Sequence, residues 1–364
     1  MSEEIIKNKF IGEYKGIDRE ATKRAELRWN SIAKPLHSLG RFEDMIIKIA
    51  GITGTENVNL DKKCVIVMCG DNGVVEGGVT QSDSEVTTIV ANAMALGDGN
   101  INSLCNSFGA DVITVDIGMK TAGSEEKIID CCVARGTKNI TKGKAMTTEE
   151  CEKAIFHGMN LVKECKEKGY KIIATGEMGI GNTTTSSALA AIILNKEVEE
   201  VTGRGAGLSK EGIDRKIKTI KKAIEINNPP KIEEAEKNVD MGIELLSSLG
   251  GFDIAGLTGV FLGGAKYHVP IVIDGVISAI AAVMAKVIFK ESVNYCIPSH
   301  ISEEPAARAI IKYLGVSPVL DAGMCLGEGT GAVMIFPLLD GVLNLYDSKH
   351  LFNNLEIEPY EELS

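Results

Sequence analysis

Cys64-Val-Ile-Val-Met-Cys-Gly-Asp71 is the stretch around which the rest of the chain organises. A short, continuous apolar run closed by Gly-Asp is the pattern of a strand buried on both faces of a parallel sheet, with a functional loop at its carboxyl end. Outward from it the form recurs in Asp111-Val-Ile-Thr-Val-Asp-Ile-Gly118, Tyr170-Lys-Ile-Ile-Ala-Thr-Gly176 and Val269-Pro-Ile-Val-Ile-Asp-Gly275. Helical segments lie between these runs, over residues 85–96, 147–168, 183–194 and 212–227. Strands alternating with helices predict an α/β fold: a Rossmann-like parallel sheet with helices on both faces. Sites in such folds form where strand ends meet helix starts.

The two chain ends read differently. Ala21, Ala25, Leu27, Trp29, Ile32 and Leu36 fall at mixed helical spacings, broken at Pro35. Asn227-Asn-Pro-Pro230 interrupts the alternation, a charged helix is expected from there to Leu249, and the acidic tail after Asp347 reads as a surface extension. No clean linker divides the chain, so a small domain is expected to combine N- and C-terminal segments.

At 364 residues the chain has room for about two domains of ~150 residues. Hydrophobic residues at 44% and charged residues at 24% are those of an ordinary globular protein and exclude a fibrous or largely disordered one. Lys+Arg 39 against Asp+Glu 50 gives a net charge of −11, which argues against nucleic-acid or anionic-membrane partners. A small phosphorylated ligand stays open, because local amide dipoles bind anions inside an acidic protein. The nine cysteines are odd in number and form no CxxC pair, and MSEEIIKNKF has no apolar signal core. Free thiols in a reducing cytoplasm are expected, with no metal site. The apolar stretch 271–289 is interrupted by Asp274 and Lys286, so it reads as a buried strand and helix, not a membrane span.

Four glycine clusters carry the candidate chemistry. Gly176-Glu-Met-Gly-Ile-Gly-Asn-Thr-Thr-Thr185 follows a strand and opens a helix, so its backbone N–H groups and helix start suit an anion. Asn182 and Thr183 are good caps and candidate phosphate donors, although a tight turn also explains them. The Gly-Lys-Ser/Thr of a P-loop is missing, which argues against nucleoside-triphosphate hydrolysis. Gly203-Arg-Gly-Ala-Gly207 precedes Lys216 and Lys218, a phosphate cradle or simply an exposed basic helix face. The glycines between Gly250 and Gly264 are read as close helix packing. Gly327-Glu-Gly-Thr-Gly331 holds Glu328 between glycines, either a desolvated general base or an acid at a helix start. His268 and His300 sit at segment ends, and ordinary polar roles are expected for both.

Taken in order, GEMGIGNTTTSSAL, GRGAGL, IVIDGVISA, SHISEEPAAR and GMCLGEGTGAV resemble the nicotinate-nucleotide:dimethylbenzimidazole phosphoribosyltransferase family. LGRFEDMIIKIAGITGT and GDNGVVEGGVTQSDSEVT do so too, and the similarity spans roughly residues 20 to 346. The resemblance implies transfer of 5-phosphoribosyl from nicotinate mononucleotide to an aromatic lower-ligand base of cobalamin, giving an α-ribazole phosphate and nicotinate. It implies a homodimer without metal or bound cofactor, built from a Rossmann-like domain over 61–335 and a small helical domain from 1–60 and 336–364. By residue, it implies Glu328 as general base and Glu177 as an active-site acid. Gly176, Gly179, Ile180, Gly181 and Asn182 would form the phosphate loop, supported by Gly205 and Lys216. Thr80, Ser84, Met324 and Leu326 would surround the base.

Departures from the family pattern cluster near the expected base pocket. Asn72 stands where GDHG is usual, Asp83-Ser84 where Pro-Gln is, Cys325 within GMRLGEG, and Ala306-Ala307 where Gly-His is frequent. Dimethylbenzimidazole is the default acceptor, with another benzimidazole, a purine or a phenol as alternatives. A dinucleotide oxidoreductase would need GxGxxG after the first strand, where CGDNGVV stands. A catalytically silent phosphate-binding regulator is the non-enzyme alternative.

Overall fold

The computed structural model describes residues 9–205 and 207–360, so residues 1–8 of the expected N-terminal segment and 361–364 of the tail lie outside it. Six strands form one sheet: β1 (Lys63–Gly70), β2 (Ala110–Gly118), β3 (Ile129–Asp130), β4 (Ile172–Met178), β5 (Ile271–Ile273) and β6 (Cys296–Pro298). Their order is β3-β2-β1-β4-β5-β6, and every neighbouring pair is parallel. All residues of β1 are buried. Successive strand side chains point to opposite faces, so such burial requires cover on both. A separate parallel pair, β7 (His300–Ser302) and β8 (Leu320–Met324), lies further along the chain.

The principal helices in chain order are α1 (Arg19–Ser31), α2 (Arg41–Thr53), α3 (Glu85–Leu96), α4 (Asn100–Phe108), α5 (Thr148–Glu167) and α6 (Asn182–Leu194). They continue as α7 (Lys210–Asn227), α8 (Val239–Leu249), α9 (Phe252–Tyr267), α10 (Val276–Ile288), α11 (Ala307–Leu314) and α12 (Ile335–Tyr346). Between β1 and β3 the chain builds the sheet toward one edge. It then returns to add β4 beside β1 and builds toward the other. The loops after β1 and β4 therefore diverge and open a crevice at the carboxyl end of the sheet.

Helix α9 lies against α5 as closely as two backbones can. A Cβ on Gly158 would run into the Gly256 carbonyl, and one on Gly259 into that of Ile155. The glycines of this region thus serve packing. The charged helix expected up to Leu249 is instead a helical turn (Ile232–Ala235) followed by α8, whose start is capped by the Asn238 side chain accepting from Asp240 N at 3.0 Å. The 271–289 stretch is β5 and α10, and no helix among the described residues is long and apolar enough to cross a membrane.

The chain ends meet. The Trp29 ring lies 4.9 Å from that of Tyr346, Ile32 bridges Leu351 in antiparallel fashion, and Ala33 N donates to His350 O at 2.9 Å. Phe352 is buried, so the tail after Asp347 is not wholly the surface extension expected. A charged run predicts solvation, but the apolar Leu351-Phe352 pair inside it docks.

Candidate active site

At the crevice between β1 and β4 the chain places two glycine-flanked glutamates on one cavity of about 250 Å³. Glu177 ends β4. Glu328 lies in a loop whose three residues, Gly327, Glu328 and Gly329, all take left-handed φ angles of 89°, 59° and 86°. A non-glycine residue there is held against its own preference, at a cost of about 1–2 kcal/mol. Close packing imposes it. A Cβ on Gly176 would fall 2.6 Å from Glu328 O, and one on Gly329 would fall 2.6 Å from Val65 Cγ2 and 3.0 Å from Thr175 O. The loop is pressed onto β1 and β4 as only glycine allows.

The buried Glu328 carboxylate accepts from Asn100 Nδ2 at 3.2 Å and from Ile101 N at 3.3 Å, at the start of α4. Glu328 thus lines the cleft and also meets a helix start, where an anion is favoured. Glu177 has its affinity for a proton raised, its pKa pushed up to about 8. Burial is the main cause and the Asp253 charge the next. A bond from Asn182 opposes them, while Asp274 and Glu328 add smaller repulsions.

Asp274 and His300 complete this end. Asp274, raised by burial and lowered by His300, accepts from Ala332 N at 2.9 Å. His300 Nδ1 lies 2.9 Å from Ser299 Oγ, and its ring packs so tightly on Gly331 that a Cβ there would overlap it. The expected ordinary polar role understates His300, which is buried and lines the cleft. His268 ends α9 in a left-handed conformation, its ring 5.6 Å from that of Tyr295.

The other end suits an anion. Gly181, with φ 94°, turns the chain into α6, so Asn182 and Thr183 open a helix against the cavity. Lys216 is fully buried, donating to Thr183 Oγ1 at 2.9 Å and Gly203 O at 3.2 Å, whereas Lys218 is exposed. The exposed-face reading therefore fails for Lys216. Burial pulls its ammonium down to about 8, against the opposing pull of Glu304, and Glu304 is itself raised by burial. A Cβ on Gly205 would lie 2.9 Å from Thr183 Oγ1 and 3.6 Å from Lys216 Nζ. Glycine there leaves room beside both groups.

Of the residues singled out in the sequence, Glu177, Gly179, Ile180, Asn182, Gly205, Met324, Leu326 and Glu328 line this cavity together. Gly176 lies beneath it, under Glu328. Gly181 and Thr80 line a small adjoining cavity of about 70 Å³. Ser84 opens to a third, of about 590 Å³, with Asp71 and Arg135. The separation has a steric origin, since Gly181 packs onto the 72–75 segment, where a Cβ would fall 2.9 Å from Val75 Cγ2 and 3.2 Å from Asn72 Cβ. Sequence reasoning missed Asp253, Asp274 and Glu304. Asp274 carried a usable signal, because it closes an apolar run as Asp71 does.

A sheet in Rossmann order, an acid-lined cleft at its switch point and a buried lysine beside a helix start define an α/β enzyme of the nucleotide-handling class. A family model described as Phosphoribosyltransferase matches residues 14–357. The chain is similar to the nicotinate-nucleotide–dimethylbenzimidazole phosphoribosyltransferase of Clostridium acetobutylicum, 44% identical, with 96% of this chain and 97% of that protein covered. The enzyme of the same name from Acetivibrio thermocellus is 43% identical, with 97% of each covered. A crystal structure of CobT from Thermus thermophilus superposes with a TM-score of 0.85 at 29% identity, over 94% of this chain and 100% of that one. The chain belongs to the nicotinate-nucleotide:dimethylbenzimidazole phosphoribosyltransferase family.

Proposed function

We propose that this chain transfers the 5-phosphoribosyl group of nicotinate mononucleotide to an aromatic base, 5,6-dimethylbenzimidazole by default, giving α-ribazole 5′-phosphate and nicotinate for cobalamin assembly. The observation that carries the reading is that Glu177 and Glu328 share one cavity whose far end holds Thr183 and Gly205, backed by Lys216. The phosphate sits at the start of α6, where backbone N–H groups and the Lys216 ammonium favour an anion. That anchorage fixes the ribose C1′ relative to the attacking atom and supplies orientation.

The C1′–N bond to nicotinate breaks with its electron pair leaving on the pyridine nitrogen. A ring nitrogen of the base forms the new bond to C1′. Positive charge gathers on the ribose between the two events, and the acids lining the cleft stabilise it. Glu328 takes the proton that the base releases. Met324 and Leu326 offer apolar surface for a flat ring, while Thr80 and Ser84 face the two adjoining cavities. On this reading no metal or cofactor takes part, the enzyme works as a homodimer in the cytoplasm, and the segments 1–60 and 336–364 form a small domain beside the 61–335 catalytic domain.

A mass-spectrometric competition tests it, giving the purified protein nicotinate mononucleotide with benzimidazoles, adenine and phenols. Nicotinate release matched by one phosphoribosylated base identifies both the reaction and its acceptor. Intact nicotinate mononucleotide with every base, from folded protein, rejects the proposal.

A further inference from the structure

Behind the cleft, one amide is held between two buried acids. Asn182 Nδ2 donates to Asp253 Oδ2 at 3.0 Å and to Glu177 Oε2. Two carboxyl oxygens accepting from the same nitrogen use both of its hydrogens. Asp253 is fully buried at the first turn of α9, with its other oxygen accepting from Ile254 N at 3.0 Å. It lines none of the three cavities described, and the transfer mechanism leaves it unused. An unused buried carboxyl, bonded through a single amide to a cleft acid, is costly unless it acts on that acid.

We propose that Asp253 is a positioning residue for the transfer reaction, acting on Glu177 through the Asn182 amide that bridges the two carboxyl groups. The inference rests on the proposed reaction for its catalytic consequence, though not for the linkage itself. The groups acting on Glu177 from the surrounding elements are Asp253 of α9, Asp274 after β5 and Glu328 of the 327–329 loop, all acidic. Cys69 of β1 also faces it, a buried thiol pushed well up and therefore neutral. Among these, Asp253 is the foremost charge and Asn182 the one opposing bond. The pair thus pull Glu177 in opposite directions. Asp253 keeps a proton on it, and Asn182 favours releasing that proton.

Opposite pulls give an experiment with two signs. Asp253→Asn removes the charge at nearly constant shape, and Asn182→Ser removes the bridge. The Glu177 carboxyl is titrated in the free enzyme by carbon-13 NMR of labelled glutamate, with Glu177→Gln identifying its resonance. Asp253→Asn is expected to lower the midpoint by roughly one pH unit, and Asn182→Ser to raise it. In turnover, the limb of the kcat/KM profile that follows Glu177 moves the same way in each variant, and Asp253→Asn causes no further shift in a Glu177→Gln background.

A Glu177 midpoint unchanged in both variants, or moved in the same direction by both, overturns the proposal. Thermal melts show which variants fold. If Asp253→Asn does not, Asp253→Ser, which also removes the charge, takes its place. Absence of turnover in the wild type would reject the transferase reading while the carboxyl titration still tests the linkage.

Discussion

At the scale of single residues, the two glutamates of the cleft are set apart by their surroundings. Glu328 accepts two hydrogen bonds from the start of α4, whereas Glu177 is pressed by burial and three acids and pushed up to about 8. Replacing Glu328 by Gln keeps one acceptor for α4 but removes the proton acceptor. Turnover should fall by roughly 10²–10⁴-fold with the fold retained, as kinetics and circular dichroism together would read. Near-wild-type turnover would remove Glu328 from the base role. Glu177 makes a prediction about stability instead. Its folded pKa lies above the unfolded carboxylate value, so its favourable contribution is full below about 4.5 and lost as pH rises through about 8. Glu177→Gln escapes that loss. The variant should therefore melt higher than wild type at pH 9 by about 2–6 °C, with the gap closing toward pH 4.5. A gap that widens on acidification would contradict the assignment. Both glutamates were legible in the sequence, Glu328 because a lone acid between glycines has no obvious solvated role and Glu177 because it falls in a glycine cluster between a strand and a helix. Asp253 was not, because it sits in a run that reads as packing, and His300, read as an ordinary polar residue at a segment end, reaches the cleft only through the fold.

At the scale of elements, position follows from how closely backbones approach. The Glu328 loop lies on β4 because Gly176 has no side chain, with 2.6 Å left between a Cβ there and Glu328 O. Gly176→Ala should lift the loop, cost about 1–3 kcal/mol in stability and lower kcat more than it raises KM for nicotinate mononucleotide. Denaturant melts and steady-state kinetics check this, and an unchanged kcat would mean that the loop's seat does not set the position of Glu328. The resemblance grouped Gly176 with the phosphate loop, and its neighbour in space is instead Glu328. Helix α3 was legible to the residue, since 85–96 carries its own periodicity and ends at Gly97 in a left-handed conformation. Strands β6 and β7, of three residues each, were not, because so short a run shows no alternation. Lys216 shows the same limit from the other side. Its helix was expected, but a basic stripe does not say which lysine turns inward.

At the scale of the whole molecule, the fold closes its chain ends on one another, and the order of synthesis then matters. Helix α1 is made long before its partners, for Trp29 packs on Tyr346, Ile32 bridges Leu351 and Ala33 N donates to His350 O. None of these partners exists until residues 346–351 have been made. Four of the six strands have no such dependence, because β1 pairs with β2 and β4, and β2 with β3, all within the first half of the sequence. Ending the chain at Asp347 would spare Tyr346 and remove the bridge, the Ala33 bond and the burial of Phe352, the last worth about 1.5–3 kcal/mol. Hydrogen exchange should then quicken in α1 and around Ile32, while the amides of β1 keep their protection. Equal protection of α1 in the full and shortened chains would show that the N-terminal helices stand without the tail. Uniform loss of protection across β1 and α1 would show that the two regions unfold as one unit, so that the chain ends stabilise the catalytic sheet itself.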